Sequence, residues 1–202
     1  MCGRYQLLRP QDIPARFETV NTLEDLRVND DVRPTQPIPV IDMERDLTLM
    51  HWGFVPSWAK ERPKGAPLIN ARAEGIETKP TFRKPLRFQR CVIPATGFYE
   101  WQTPASGGKK VKYLFTRADG DFLALAGLYD TWKTPEGQEL RSCVIITTTP
   151  NELVAPIHNR MPVILAREDE DAWLNPDETE SEALLPFLRP LAADVLRAHV
   201  AL

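Results

Sequence analysis

The chain of 202 residues is 43% apolar and 26% charged, which excludes a disordered protein and suits one domain, 1–202, with a substantial core. The N-terminus lacks the basic-then-apolar pattern of a secretory signal and no window approaches 18 uninterrupted apolar residues, so a cytoplasmic protein without a membrane partner is expected. The net charge of −3 conceals a segregation: residues 60–117 hold 13 Lys and Arg against 4 Asp and Glu, a local +9 that leaves −12 elsewhere and allows one face to attract a polyanion.

Nineteen prolines argue for many short elements joined by turns of fixed φ, with extended structure dominant. In chain order, helical spacing appears first at 11–18. Strands follow at 38–41 and 47–54, with Glu44-Arg45-Asp46 as a hairpin turn between them. A long apolar run at 91–101 and a shorter one at 112–116 flank an exposed loop around Ser106-Gly107-Gly108-Lys109-Lys110. Ala118-Asp119-Gly120-Asp121 reads as a second hairpin turn leading into a strand at 122–132, and another strand covers 140–148. A short helix capped by Asn151 is expected at 151–155, a strand at 161–165, and helices at 168–174, with acidic residues in the first turn, and at 181–188. There is no internal repeat.

Cys2, Cys91 and Cys143 form no CxxC pair and are odd in number, which argues against a disulfide framework or a cysteine zinc site and leaves at least one free thiol. HExxH, P-loop and GxGxxG patterns are missing, so no metal and no nucleotide or other cofactor is expected. Cys2 is the sharpest feature. Cysteine is small enough for aminopeptidase removal of Met1, and the chain would then begin with a 1,2-aminothiol. Its amine and thiol, with ordinary pKa values of about 7.7–8.0 and 8.5, are both partly nucleophilic near neutrality. An aldehyde meeting the pair condenses with the amine and is then trapped by sulfur as a thiazolidine, a reaction closed to an internal cysteine. Read alone, Cys2 is equally a residue that merely follows the initiator.

Five segments decide between these readings: Met1-Cys2-Gly3-Arg4-Tyr5, Trp52-Gly53-Phe54-Val55-Pro56-Ser57-Trp58-Ala59, Ile69-Asn70-Ala71-Arg72-Ala73-Glu74, the run from Arg90 to Trp101 ending Gly97-Phe98-Tyr99-Glu100-Trp101, and Ile157-His158-Asn159-Arg160-Met161-Pro162. In these motifs the chain resembles the SRAP family, the SOS response-associated peptidase-like proteins. The resemblance implies a single α+β domain with an open β-barrel-like sheet core and short peripheral helices. It also implies a monomer that binds single-stranded DNA, at the nucleoid in a bacterium, and links covalently through Cys2 to the ring-opened aldehyde of an abasic site. This is lyase-like Schiff-base chemistry in the DNA damage response.

By motif position, Asn70, Glu100 and His158 join Cys2 as the catalytic set, and each has a chemical reason to be there. Glu100 lies among aromatic residues, where desolvation raises a carboxyl pKa and lets it pass protons near neutrality. His158 titrates in the range needed to shuttle protons, whereas His51 and His199 declare no role. Asn70 suits holding the Cys2 amine or a sugar hydroxyl, although alone it would read as a turn cap. For DNA contacts, Arg4, Arg72 and Arg160 each stand two residues beyond a catalytic position and suit phosphate binding. Trp58 and Trp101 offer faces for base stacking, although a lone Trp is more often core. Pro34, in Pro34-Thr35-Gln36, matches the family's turn, while the preceding Asp30-Asp31-Val32-Arg33 departs from it and sets two carboxylates near a phosphate path. Thr147 is a further candidate. Three rival functions remain open on residue types alone: a thiol peptidase or autoprotease using Cys2, His158 and Glu100; a class II glutamine amidotransferase, which shares only Met-Cys-Gly; and a non-covalent single-strand binder.

Overall fold

The computed structural model describes residues 2–134 and 136–201. Among these residues twelve strands form two sheets: β1 (Tyr5–Leu7), β2 (Asn29–Val32), β3 (Pro37–Asp42), β4 (Leu47–Trp52), β5 (Asn70–Arg72), β6 (Arg90–Ala95), β7 (Gly97–Gln102), β8 (Val111–Arg117), β9 (Leu123–Lys133), β10 (Glu139–Thr148), β11 (Met161–Pro162) and β12 (Leu196–Val200). Helices are short, as the prolines imply: α1 (Ile13–Phe17), α2 (Arg83–Phe88), α3 (Glu170–Leu174) and α4 (Ser181–Leu184).

The larger sheet runs β11-β10-β4-β3-β6-β9, and β9 pairs back onto β10, so the barrel core, expected to be open, closes into a five-strand ring of β10, β4, β3, β6 and β9. Closure rests on a brief parallel contact, Ser142 beside His51 and Cys143 beside Trp52. After Arg90, β6 is apolar throughout because both of its faces are covered, and Val92, Ile93, Leu125, Val144 and Ile145 are all buried. Gly127 on β9 is required by that packing: a Cβ there would lie 2.5 Å from Ile93 Cδ1 and 2.9 Å from Cys91 Sγ. The second sheet, β12-β8-β7-β1-β2, lies beside the barrel and shares its core through Tyr5, Phe98 and Phe115.

Several expectations are corrected. The run 91–101 is two strands: Thr96 breaks it, its amide bonding to the Gln6 carbonyl, and β6 stays in the barrel while β7 crosses to the other sheet. Both halves are buried, so hydrophobicity alone marks no boundary between them. The Asp119-Gly120 turn joins β8 to β9 across the two sheets and makes no hairpin, unlike Glu44-Arg45-Asp46, where Arg45 adopts φ 61° and β3 pairs with β4. Asn151 does cap, its Oδ1 accepting the Leu153 and Val154 amides, but only turns follow, since Pro156 has no N–H to continue a helix. No helix among the described residues is long and apolar enough to cross a membrane.

Candidate functional site

The first residues are placed by β7. Tyr5 pairs antiparallel with Phe98, and the Arg4 carbonyl accepts the Tyr99 amide at 2.9 Å. Continuing this register brings Cys2 alongside Glu100 and Trp101. Cys2 is fully buried. Burial pushes its thiol well above the ordinary range, and the nearby charge of Glu100 pushes it further.

β5 approaches from the other side. It runs parallel to β10, with Asn70 beside Ile145 and Arg72 beside Thr147. The period of two points Ala71 and Ala73 inward, while Asn70, Arg72 and Glu74 share the outer face. Asn70 Nδ2 donates to the Cys2 carbonyl at 3.0 Å. Its Oδ1 is buried and accepts no hydrogen bond among the described residues, which leaves an acceptor directed at the same locality.

Glu100, only 2% exposed, and His158 form the third side. His158 Nε2 lies 3.7 Å from Glu100 Oε2. Burial raises the Glu100 carboxyl to about 6 and lowers His158 from its ordinary 6.5. Both shifts share one main cause, burial that favours the uncharged form of each group. On its other edge, the His158 ring has both main-chain groups of Arg160 in reach: the amide donates to Nδ1 at 3.0 Å and the carbonyl lies at 3.1 Å. Nδ1 is thus satisfied in either protonation state, as acceptor when unprotonated and as donor when protonated.

Around this cluster the arginines are unequally committed. Arg4 is paired with Asp31 at 2.9 Å and lies over the Trp101 ring at 5.7 Å. The departure Asp30-Asp31 therefore places one carboxylate, Asp31, that is shared between Arg4 and Arg33. Arg160 gives its fork to Glu74, with contacts of 2.5 and 2.9 Å, and also donates to the Thr147 carbonyl. Arg72 is exposed, and its side chain makes no ion pair among the described residues. Thr147 is fully buried, with Oγ1 turned to the Ala71 carbonyl and Arg160. Pro34 sits half-buried before Thr35, whose φ of 71° marks a tight turn hydrogen-bonded to the Trp52 carbonyl. Trp58 is 66% exposed on a loop anchored by Asp130 and Trp132. No contact among the described residues ties Pro34 or Trp58 to the cluster. Trp52 is core, its indole N–H bonded to the Ile69 carbonyl. Residue types alone missed Glu74, though the alternation Asn70, Arg72, Glu74 contained the signal, and they marked Asp31 as a carboxylate near the path without its pairing to Arg4.

No group of three or more His, Cys, Asp or Glu among the described residues is arranged to hold a metal ion. Comparison with known proteins then places the chain: the model of the SOS response associated peptidase (SRAP) family matches residues 1–201. The chain belongs to the SRAP family. Among similar proteins, abasic site processing protein YoqW of Bacillus subtilis is 42% identical over 205 residues, covering 98% of this chain and 91% of the relative. Abasic site processing protein HMCES of Gallus gallus is 34% identical over 170 residues, covering 73% of this chain and 50% of the relative. Crystal structures of proteins from Bacteroides thetaiotaomicron and Bordetella bronchiseptica share the SRAP chain's architecture. Their TM-scores are 0.89 and 0.83 at 27% and 29% identity, covering 98% and 99% of this chain and 91% and 99% of theirs.

Proposed function

We propose that this chain processes abasic sites by trapping them covalently in single-stranded DNA, with Cys2 as nucleophile once Met1 has been removed. The observation that supports this most directly is the meeting of four separated segments on one aminothiol-bearing residue. Asn70 holds the Cys2 carbonyl, Glu100 bears electrostatically on its thiol, and His158 faces Glu100. The names of the relatives, abasic site processing proteins, fit the same reading.

Chemically, the ionised Glu100 accepts the anomeric hydroxyl proton as the closed sugar opens to its aldehyde, and that same proton is passed on, with His158 as shuttle, to the departing ring oxygen. The free Cys2 amine attacks the aldehyde carbon, and the carbinolamine loses water to give an imine. The Cys2 sulfur then adds to that carbon, its proton passing to the imine nitrogen, and a thiazolidine closes. The product mass is protein plus DNA minus one water. Asn70, with Nδ2 on the Cys2 carbonyl and Oδ1 available to an amine or hydroxyl, keeps the nucleophile in register. Arg72 is the most available phosphate contact, and Arg4 with Trp101 makes a mixed cation and stacking surface beside the nucleophile. Pro34, Trp58, Thr147 and Arg160 border or extend the path.

The test is to incubate processed protein with a single strand carrying one abasic site and resolve the products on a denaturing gel with mass measurement. A species at protein plus DNA minus water is expected, and Cys2→Ala abolishes it. A stable adduct from the Cys2→Ala protein overturns the thiazolidine reading. Useful hydrolysis of peptides or glutamine without any adduct would favour the peptidase or amidotransferase readings instead.

A further inference from the structure

Glu74 lies outside the catalytic set, yet it closes a chain of contacts that ends on His158. Its carboxylate takes both terminal nitrogens of Arg160, at 2.5 and 2.9 Å, and Arg160 Nη2 reaches on to the Thr147 carbonyl at the end of β10. The guanidinium is 12% exposed, against 53% for the Glu74 side chain, so the ion pair sits at a boundary where it is only partly screened. The main chain of the clamped Arg160 then brackets His158 Nδ1 with its amide and its carbonyl. The opposite ring nitrogen faces Glu100. One nitrogen of Arg160, Nε, is buried with no hydrogen-bond partner among the described residues, although a guanidinium N–H is costly to leave unpaired. The fork is therefore spent on Glu74 and on Thr147.

We propose that Glu74 is a positioning residue: by occupying the Arg160 fork it fixes the main chain that aims His158 at Glu100, and it withholds that fork from DNA phosphate. This rests on the trapping reaction proposed above. The consequence is that binding and chemistry oppose each other at this position. Without the Glu74 charge, Arg160 is free to turn outward and pair bidentately with phosphate, so DNA binds more tightly. The turn that carries His158 then loses its anchor, and the uncompensated guanidinium adds its positive charge to that of Lys110, which already bears on the ring. A residue that merely stabilises the fold would weaken both properties together.

The experiment compares wild type, Glu74→Gln and Arg160→Gln, with three readouts. The first is affinity for an intact single strand across a salt series. The second is the single-turnover trapping rate on an abasic strand. The third is the NMR titration of the His158 ring in DNA-free protein, tractable because the chain has 3 histidines. For Glu74→Gln we expect tighter binding, a log–log salt slope steeper by about 0.7 for one added phosphate contact, and trapping slower by about 10- to 100-fold. The His158 titration should also move to lower pH. Arg160→Gln should slow trapping to a similar extent with no gain in affinity. Binding and trapping that fall in parallel, or an unmoved His158 titration, overturn the proposal. Failure of wild type to form any adduct refutes the trapping reaction itself, and the His158 titration still decides whether Glu74 controls that ring.

Discussion

Glu100→Gln should make the protein more stable and less able to trap its substrate. The carboxyl is 2% exposed, and burial raises its pKa from the ordinary 4.5 to about 6. A raised carboxyl pKa means that the folded state holds its proton more tightly than the unfolded state does. The penalty is therefore missing below about pH 4.5, develops between pH 4.5 and 6, and is complete above that window. At about 1.4 kcal/mol per tenfold change in proton affinity, ionised Glu100 costs roughly 2 kcal/mol at pH 7.5. Glutamine keeps the shape and removes the charge. In a domain of this length that difference corresponds to about 4–8 °C in melting temperature. Urea unfolding of both proteins at pH 7.5, 6 and 4.5 measures it directly: the variant should be the more stable at pH 7.5, and its advantage should shrink towards pH 4.5. Equal stability at all three values, or a less stable variant at pH 7.5, refutes the claim that desolvation dominates at this carboxylate. The same variant should lose the wild-type fall in trapping rate as pH drops through about 6.

Protein retaining Met1 should bind single-stranded DNA yet form no adduct, because Cys2 then lacks a free amine and its thiol is fully buried; mass spectrometry of sorted N-terminal forms checks this. His158→Ala should change the rate of adduct formation or reversal by about 10²- to 10⁴-fold, the usual contribution of a general acid–base group, with strand affinity measured by anisotropy unchanged. Arg90→Leu should cost at least about 3 kcal/mol in urea unfolding. The buried guanidinium donates to the carbonyls of Leu86, Arg87, Trp173 and Asn175 at the ends of α2 and α3, and leucine leaves all four unpaired. Gly127→Ala should cost about 1–3 kcal/mol by overpacking the barrel against Ile93 and Cys91.

The strands that could be read in the sequence were those whose burial follows from local composition. β3, β4, β9 and β10 carry dense apolar residues bounded by turn chemistry, and the structure places them close to their expected limits. Those that could not be read depend on partners far along the chain. β2, Asn-Asp-Asp-Val, has no strand propensity of its own and is extended because β1 offers it an edge. β5 spans three residues and exists because β10 accepts it in parallel. α2 carries Pro85 and three basic residues, and its C-terminal carbonyls are met by Arg90, a buried cation that no local pattern announces.

The site divides along the same line. The resemblance of the motifs pointed to Cys2, Asn70, Glu100 and His158 as one set, and the fold brings the four side by side. What residue type does not declare is which charges are already spent. Arg4, Arg72 and Arg160 look equivalent in sequence, each two residues beyond a catalytic position. Folding makes them unequal by giving Asp31 to the first and Glu74 to the third while leaving Arg72 exposed. Asp31 and Glu74 thus divide the arginines between them. Under the proposed function, a strand would meet Arg72 as the exposed cation and Arg4, shared with Asp31 and lying over Trp101, as a second. On the same proposal, the paired guanidinium of Arg160 is left to keep His158 aimed at Glu100. The distribution predicts that Arg72→Ala lowers affinity at every salt concentration and flattens the salt slope by about 0.7. Arg160→Ala should act mainly on rate, and an equal loss of affinity from both variants would show that the ion pair with Glu74 opens whenever DNA binds.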